Sequence, residues 1–204
     1  MRIQYIPRAV SRVLIGAVLG SAACTGFLEV DNPNVIDAGT VDPVQDAVTL
    51  ANSGQQSYAS ALGWLNMHSA WFTGEADVAE TFPTRNEYGR RDVVTSNGSH
   101  NTDVWSPLSQ STASNHFLIE LDLPDPTTNI NYVRAHTWLG YGFLMMAEQF
   151  CQGTVYGGPP LSTADMLDSA VVHFTEAITI GTTNGTAAAV ALANVARVGR
   201  ARAH

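Results

Sequence analysis

The chain has 204 residues, 45% of them hydrophobic and 14% charged, with a formal charge of −8. That length and composition specify a folded domain with a real core and exclude a disordered chain. All ten basic residues are arginine, and Arg2, Arg8 and Arg12 fall at the N-terminus, so the rest carries 18 acids against 7 arginines (−11), which excludes nucleic acid as a partner.

Residues 1–23 read as an export signal, with Arg2, Arg8 and Arg12 as its positive region and Val13-Leu-Ile-Gly-Ala-Val-Leu19 as its apolar core. The apolar run is too short to span a bilayer, which takes about 20 residues. Ser21-Ala-Ala-Cys24 then resembles a bacterial lipoprotein signal, in which the cysteine becomes the first mature residue and carries lipid. It departs from that pattern at Ser21, where such signals usually have Leu, and plain cleavage of the signal is the alternative. Two cysteines make neither a disulfide framework nor a cysteine zinc site. With Cys24 lipidated, Cys151 has no partner and reads as a small packed residue at a helix end. Residues 24–40 are rich in Gly, Pro and Asn without a helical period, so they predict an extended tether. Asp31, Asn34 and Asp37 do not make a calcium loop, because Pro33 breaks the spacing and no Glu closes it.

From residue 41 the pattern is helical. Asp42-Pro43 gives an N-cap and a first-turn proline, and Val44, Val48, Ala51, Gln55 and Tyr58 recur at helical steps. A second helix is predicted over about 63–80, with Trp64, Met67, His68, Trp71 and Ala79 on one side. A loop follows over 81–102, with Arg91-Asp-Val-Val-Thr95 as the best strand candidate. A third helix, about 103–123, is capped by Asp103 or Ser106 and stopped by Leu123-Pro-Asp-Pro126. The fourth, about 129–150, is apolar on both sides, with Leu139, Phe143 and Met146 opposite Trp138, Tyr141 and Met145, so it belongs at the centre. Gly140 and Gly142 inside it predict another helix packed on its backbone. Thr154–Pro160 is a loop, and Ser162 with Asp165, or Thr163 alone, caps a fifth helix over about 163–180. Its core face is Leu167, Ala170, Phe174, Ala177 and Ile178. After a turn at Gly181–Gly185, a sixth helix runs from near Thr186 to the end with no stop signal.

Leu139-Gly140-x-x-Phe143 and Ala170-x-x-x-Phe174-x-x-Ala177 match the two helices of a tetratricopeptide repeat, although the thirty residues from Gly140 to Ala170 exceed its spacing. The order of features is more specific: a lipoprotein Cys24, then Phe27-Leu28-Glu29-Val30-x-x-Pro33, a helix opened by Trp105, an aromatic helix from Arg134-Ala135 to Phe150, and the Ala/Phe/Ala helix. This order resembles the SusD/RagB family of outer-membrane nutrient-binding lipoproteins over most of residues 13–203. The resemblance implies an all-α fold of tetratricopeptide-like antiparallel helix pairs, with residues 1–23 as signal, 24–40 as tether and 41–204 as the N-terminal helical domain. It also implies a lipid anchor on the outer face of a diderm outer membrane, and a SusC-like TonB-dependent transporter as partner. The cargo would be a glycan or another oligomeric nutrient, bound and not altered. Family members are much longer, so the chain reads as an N-terminal portion with many ligand contacts beyond residue 204. The alternative is a tetratricopeptide-like envelope lipoprotein that scaffolds protein assemblies.

Tyr88, Arg90 and Arg91 are the candidate ligand-binding residues, because they sit in a loop on a rigid scaffold. Tyr88 would stack on a sugar ring and the arginines would donate to hydroxyls. Trp64, Trp71, Trp105 and Trp138 read as core. His116 with Glu120, and His173 with Glu176, each supply two metal-ligand types at helical spacing but no third, so no metal is expected. Glu75, Asp77 and Glu80 read as a solvated helix face rather than a glycosidase pair. No nucleophile elbow, Walker loop or dinucleotide fingerprint is present, and no cofactor is expected.

Overall fold

The structure, a computed structural model, describes residues 38–204. The signal over 1–23, Cys24 and nearly all of the tether lie outside them; Ala38–Thr40 form one 3₁₀ turn. Residues from Asp42 to His204 form one compact unit. Its six helices are α1 (Ala47–Thr73), α2 (Pro83–Arg90), α3 (Ser106–Glu120), α4 (Ile130–Gln149), α5 (Thr163–Asn184) and α6 (Ala187–Ala203). The fold is all-α. One two-residue hairpin, β1 (Gln152–Gly153) against β2 (Leu161–Ser162), ties the α4–α5 connection. Among the described residues no helix is long and apolar enough to cross a membrane.

The two helices predicted over 41–80 are a single helix, α1. Gly63 does not interrupt it, because its side faces open space and a lone interior glycine costs only about 1 kcal/mol. The stop comes at Gly74, in the left-handed region (φ 82), whose N–H returns to the Ala70 carbonyl. Asp42 does cap: its Oδ1 accepts from the N–H groups of Val44 (2.8 Å) and Gln45 (3.0 Å), but on a turn that precedes α1. The predicted loop over 81–102 contains α2, and the strand candidate Arg91–Thr95 forms no strand among the described residues; the hairpin forms around the Thr154–Pro160 loop instead. Cys151, expected to be packed, is exposed beside that hairpin.

The fourth predicted helix is central as expected: α4 packs against α1, α3, α5 and α6. Its close contact with α5 and α6 passes through one ring. Phe174 on α5 is fully buried, and a Cβ on Gly140 of α4 would approach its ring to 2.8 Å. Gly199 of α6 lies against the same ring, so Phe174 is clasped between two backbones. A Cβ on Gly142 would likewise meet Thr112 of α3 at 2.7 Å. On the other side, α1 and α3 are joined by Ser111, whose hydroxyl donates to the Gly54 carbonyl at 2.7 Å. The capping box opens α5 as read from the sequence: Ser162 Oγ accepts from the Asp165 N–H, and Asp165 Oδ2 accepts from the Ser162 N–H. The helix then runs past Gly181, which a Cβ would push into the Ala189 carbonyl, and ends at Gly185 (φ 71).

Candidate functional site

Three chain segments converge at one end of α1. Its last turns carry Trp64, His68, Trp71 and Phe72. α2 carries Arg85 and Tyr88, and the π-helical turn His100–Trp105 leads into α3. Asp103, read as a helix cap, is instead the charged centre of this cluster. Its carboxylate is nearly buried and accepts from Arg85 Nε (2.9 Å), from the Arg85 guanidinium again at 3.0 Å, and from His68 Nε2 (3.2 Å). Arg85 also donates to Glu80 Oε2 (2.9 Å) and lies 4.0 Å above the Trp64 ring. The Asp103 hydrogen bond, first among several causes, holds the guanidinium above its ordinary range. Burial holds the His68 imidazole below its ordinary value, against the pull of Asp103. His68 is therefore neutral at pH 7 and donates from Nε2, which leaves its buried Nδ1 without a partner.

Tyr88 stacks face to face on His68, with ring centroids 4.2 Å apart. Its hydroxyl meets His100 Nδ1 at 3.0 Å. Burial pushes the phenol up to about 12 and the His100 imidazole down, so phenol and neutral imidazole share one proton as donor and acceptor. Asn97 locks α2 to the π-helical turn: its amide donates to the Thr84 carbonyl and to Glu87 Oε2, both at 2.7 Å, and its Oδ1 accepts from the His100 N–H at 2.9 Å.

Above this cluster lies an open groove of about 650 Å³. Phe72, Tyr88, Val93, Val94, Trp105 and Phe150 supply its apolar walls, and Thr95, Asn97, His100 and Asn101 its polar points. Trp105 and Phe150 meet edge to face at 5.0 Å.

The three residues singled out in the sequence go to different places. Tyr88 lines the groove but is buried, with one ring face covered by His68. Arg91 is a helix clamp: it takes the left-handed position after α2 (φ 60) and donates from Nε to the Phe72 carbonyl at the end of α1 (2.8 Å). Arg90 is exposed on the last turn of α2. Nothing in the sequence marks His68, His100, Asp103 and Arg85 as acting together. Their partners lie 12 to 35 positions apart, and no local spacing marks them. Of the tryptophans, Trp71 is buried and the other three are half-buried.

The remaining sequence candidates hold no second centre. Glu75 and Asp77 are exposed beyond the end of α1, and Glu80 is engaged by Arg85. Glu176 is exposed, whereas His173 faces α4 and meets His136, Nδ1 to Nδ1, at 3.1 Å. Among the described residues no group of three His, Cys, Asp or Glu could hold a metal ion. His116 stacks on Tyr156 at 3.8 Å and reaches Glu120 at 3.3 Å.

The His136–His173 pair makes the fold acid-sensitive. Burial, reinforced by a neighbouring imidazole, holds each pKa down to about 4. The unfolded chain binds these protons near pH 6.5. Stability from the pair is therefore complete above that pH and is lost as pH falls toward 4, at roughly 1.4 kcal/mol per pH unit for each ring. Thermal melts between pH 7.5 and about 4.5 should show a falling Tm, and the double variant His136→Gln, His173→Gln should fall less steeply.

No protein-family model matches this chain, and no curated protein or solved structure matches it either.

Proposed function

We propose that the protein is a nutrient-binding lipoprotein of the cell surface. Anchored through Cys24, it captures a glycan or another oligomeric nutrient and delivers it to a SusC-like TonB-dependent outer-membrane transporter. The observation that carries this reading is the open groove, with its aromatic walls and the exposed amide of Asn101 at its edge. Aromatic rings cover the apolar faces of sugars, and amides both donate to and accept from hydroxyls. The imidazoles of His68 and His100 already face Asp103 and Tyr88, which suits a site that holds its ligand. Anchoring draws on the sequence Ser21-Ala-Ala-Cys24 and on the strength of multiple acyl chains at about 0.8 kcal/mol per buried methylene.

The full chain expressed in a diderm host should take up radiolabelled palmitate, and Cys24→Ala should abolish the label. Glycans should quench tryptophan fluorescence, because Trp105 lines the groove. Asn101→Ala should weaken that binding about five- to tenfold at unchanged Tm, since the side chain is exposed. A protein that takes no lipid, or a groove that takes no glycan, overturns the proposal. Phe174 seated on Gly140 favours the second reading, a tetratricopeptide-like envelope scaffold. Co-purification separates the two: a β-barrel transporter supports uptake, a soluble assembly supports scaffolding.

A further inference from the structure

The groove above the Arg85–Asp103 cluster is lined without charge. None of its ten lining residues is an acid, an arginine or a lysine, and burial keeps His100 neutral at pH 7. Its apolar surface is open to solvent: Phe72 is 47% exposed and Val94 50%, and Val93, Trp105 and Phe150 are half-buried.

Most of its polar groups are already engaged within the protein. The Tyr88 hydroxyl is paired with His100 Nδ1, and the Asn97 side chain with Thr84, Glu87 and the His100 N–H. The side chains of Thr95 and Asn101 have no hydrogen-bond partner among the described residues, and both are exposed. A sugar unit filling the interior would bring several hydroxyls to a wall that is mostly ring and aliphatic carbon, and each hydroxyl left unpaired there is costly.

Resting on the glycan reading of the groove, we infer that its interior seats an uncharged aryl group attached to the glycan, while the sugar hydroxyls stay with Thr95 and Asn101. The walls are set for a further ring. Trp105 meets Phe150 edge to face at 5.0 Å, and Phe150 meets the His100 ring at 5.3 Å. Ring pairs in such settings gain more than their buried area alone supplies. An alkyl group gains the burial without that increment. An aromatic anion finds no cation in the lining to offset the loss of its hydration. The volume of about 650 Å³ lies within the range of small-molecule sites, so one ring and the start of its sugar fit together.

Calorimetric titration of the full chain tests this. Phenyl β-D-glucopyranoside should bind at least about tenfold more tightly than the methyl glucoside, because only the first buries a ring. It should bind about two- to tenfold more tightly than the cyclohexyl glucoside. The 4-carboxyphenyl glucoside should bind at least about tenfold more weakly than the phenyl one. Phe72 and Val94 are half-exposed, so the double variant Phe72→Ala, Val94→Ala should fold, which circular dichroism checks. It should cut the preference for phenyl over methyl at least about threefold. Phenol separates the aryl seat from the glycan reading beneath it. Phenol binding as tightly as phenyl glucoside supports the seat and counts against a glycan. Methyl glucoside binding as tightly as phenyl glucoside overturns the seat and leaves the glycan reading standing. No binding of phenyl glucoside, equal binding of the cyclohexyl form, tighter binding of the carboxylate, or an undiminished preference in the double variant also overturns the inference.

Discussion

Phe174→Ala is expected to destabilise the domain by about 3–5 kcal/mol and to lower Tm by about 10 °C. The ring is fully buried and meets Tyr141 edge to face at 4.9 Å. It also fills the gap left by two glycines on separate helices, so its removal opens a void shared by α4, α5 and α6. The converse change has the same cause. Gly140→Ala places a methyl group where the ring now sits and should cost about 1–3 kcal/mol. The two costs are not independent. In the Phe174→Ala background the Gly140→Ala methyl enters empty space, so the double variant should be more stable than the sum predicts, by at least about 1 kcal/mol. Urea denaturation of the four proteins reads this directly, as changes in midpoint at constant slope. Strict additivity would mean that the ring does not lie between those backbones.

The same crossing shows what the sequence could convey. Gly140, Phe174 and Gly199 are far apart in the chain, but an interior glycine in an apolar helix is itself a statement about close approach. That reasoning anticipated the contacts of Gly140 and Gly142. It did not anticipate Gly181, read as a turn, because a glycine near a helix end has two meanings and only packing distinguishes them. Local chemistry was legible where the partner is three residues away, as with Ser162 and Asp165. It was misleading at Asp103, whose residue type and position fit a helix cap but whose partners are Arg85 and His68. The apolar stripe of α1 read as two helices, yet the helix continues through Gly63, where nothing in the packing enforces a break. α2 went unread for want of hydrophobic period: of its residues only Tyr88 is buried, and tertiary contacts through Arg85, Asn97 and Arg91 hold it. The groove follows from those contacts, so its walls were no more visible in the sequence than the contacts themselves.

Arg85→Leu is expected to cost about 3–5 kcal/mol, because it leaves the Asp103 carboxylate nearly buried without its cation. What remains is the neutral imidazole of His68 and the Thr102 hydroxyl at 3.3 Å, neither of which replaces a bidentate guanidinium. Arg85→Lys should fall between the two, since it restores a charge but not the fork or the planar contact with Trp64. The double variant Arg85→Leu, Asp103→Leu should regain most of the stability, because a buried ion pair exchanged for apolar groups loses its desolvation penalty together with its attraction. Groove function should respond differently. Asp103 lies in the turn that carries His100, Asn101 and Trp105 to the groove, and its tie to α2 sets the distance between the two walls. Removing both charges therefore restores the melting temperature without restoring the tie, and the glycan binding proposed for the groove should stay weak in the double variant. If Arg85→Leu melts within about 1 kcal/mol of the parent protein, the Asp103 carboxylate is solvated and the groove wall is held by the other contacts of this region, through Asn97, Tyr88, Thr84 and Arg91.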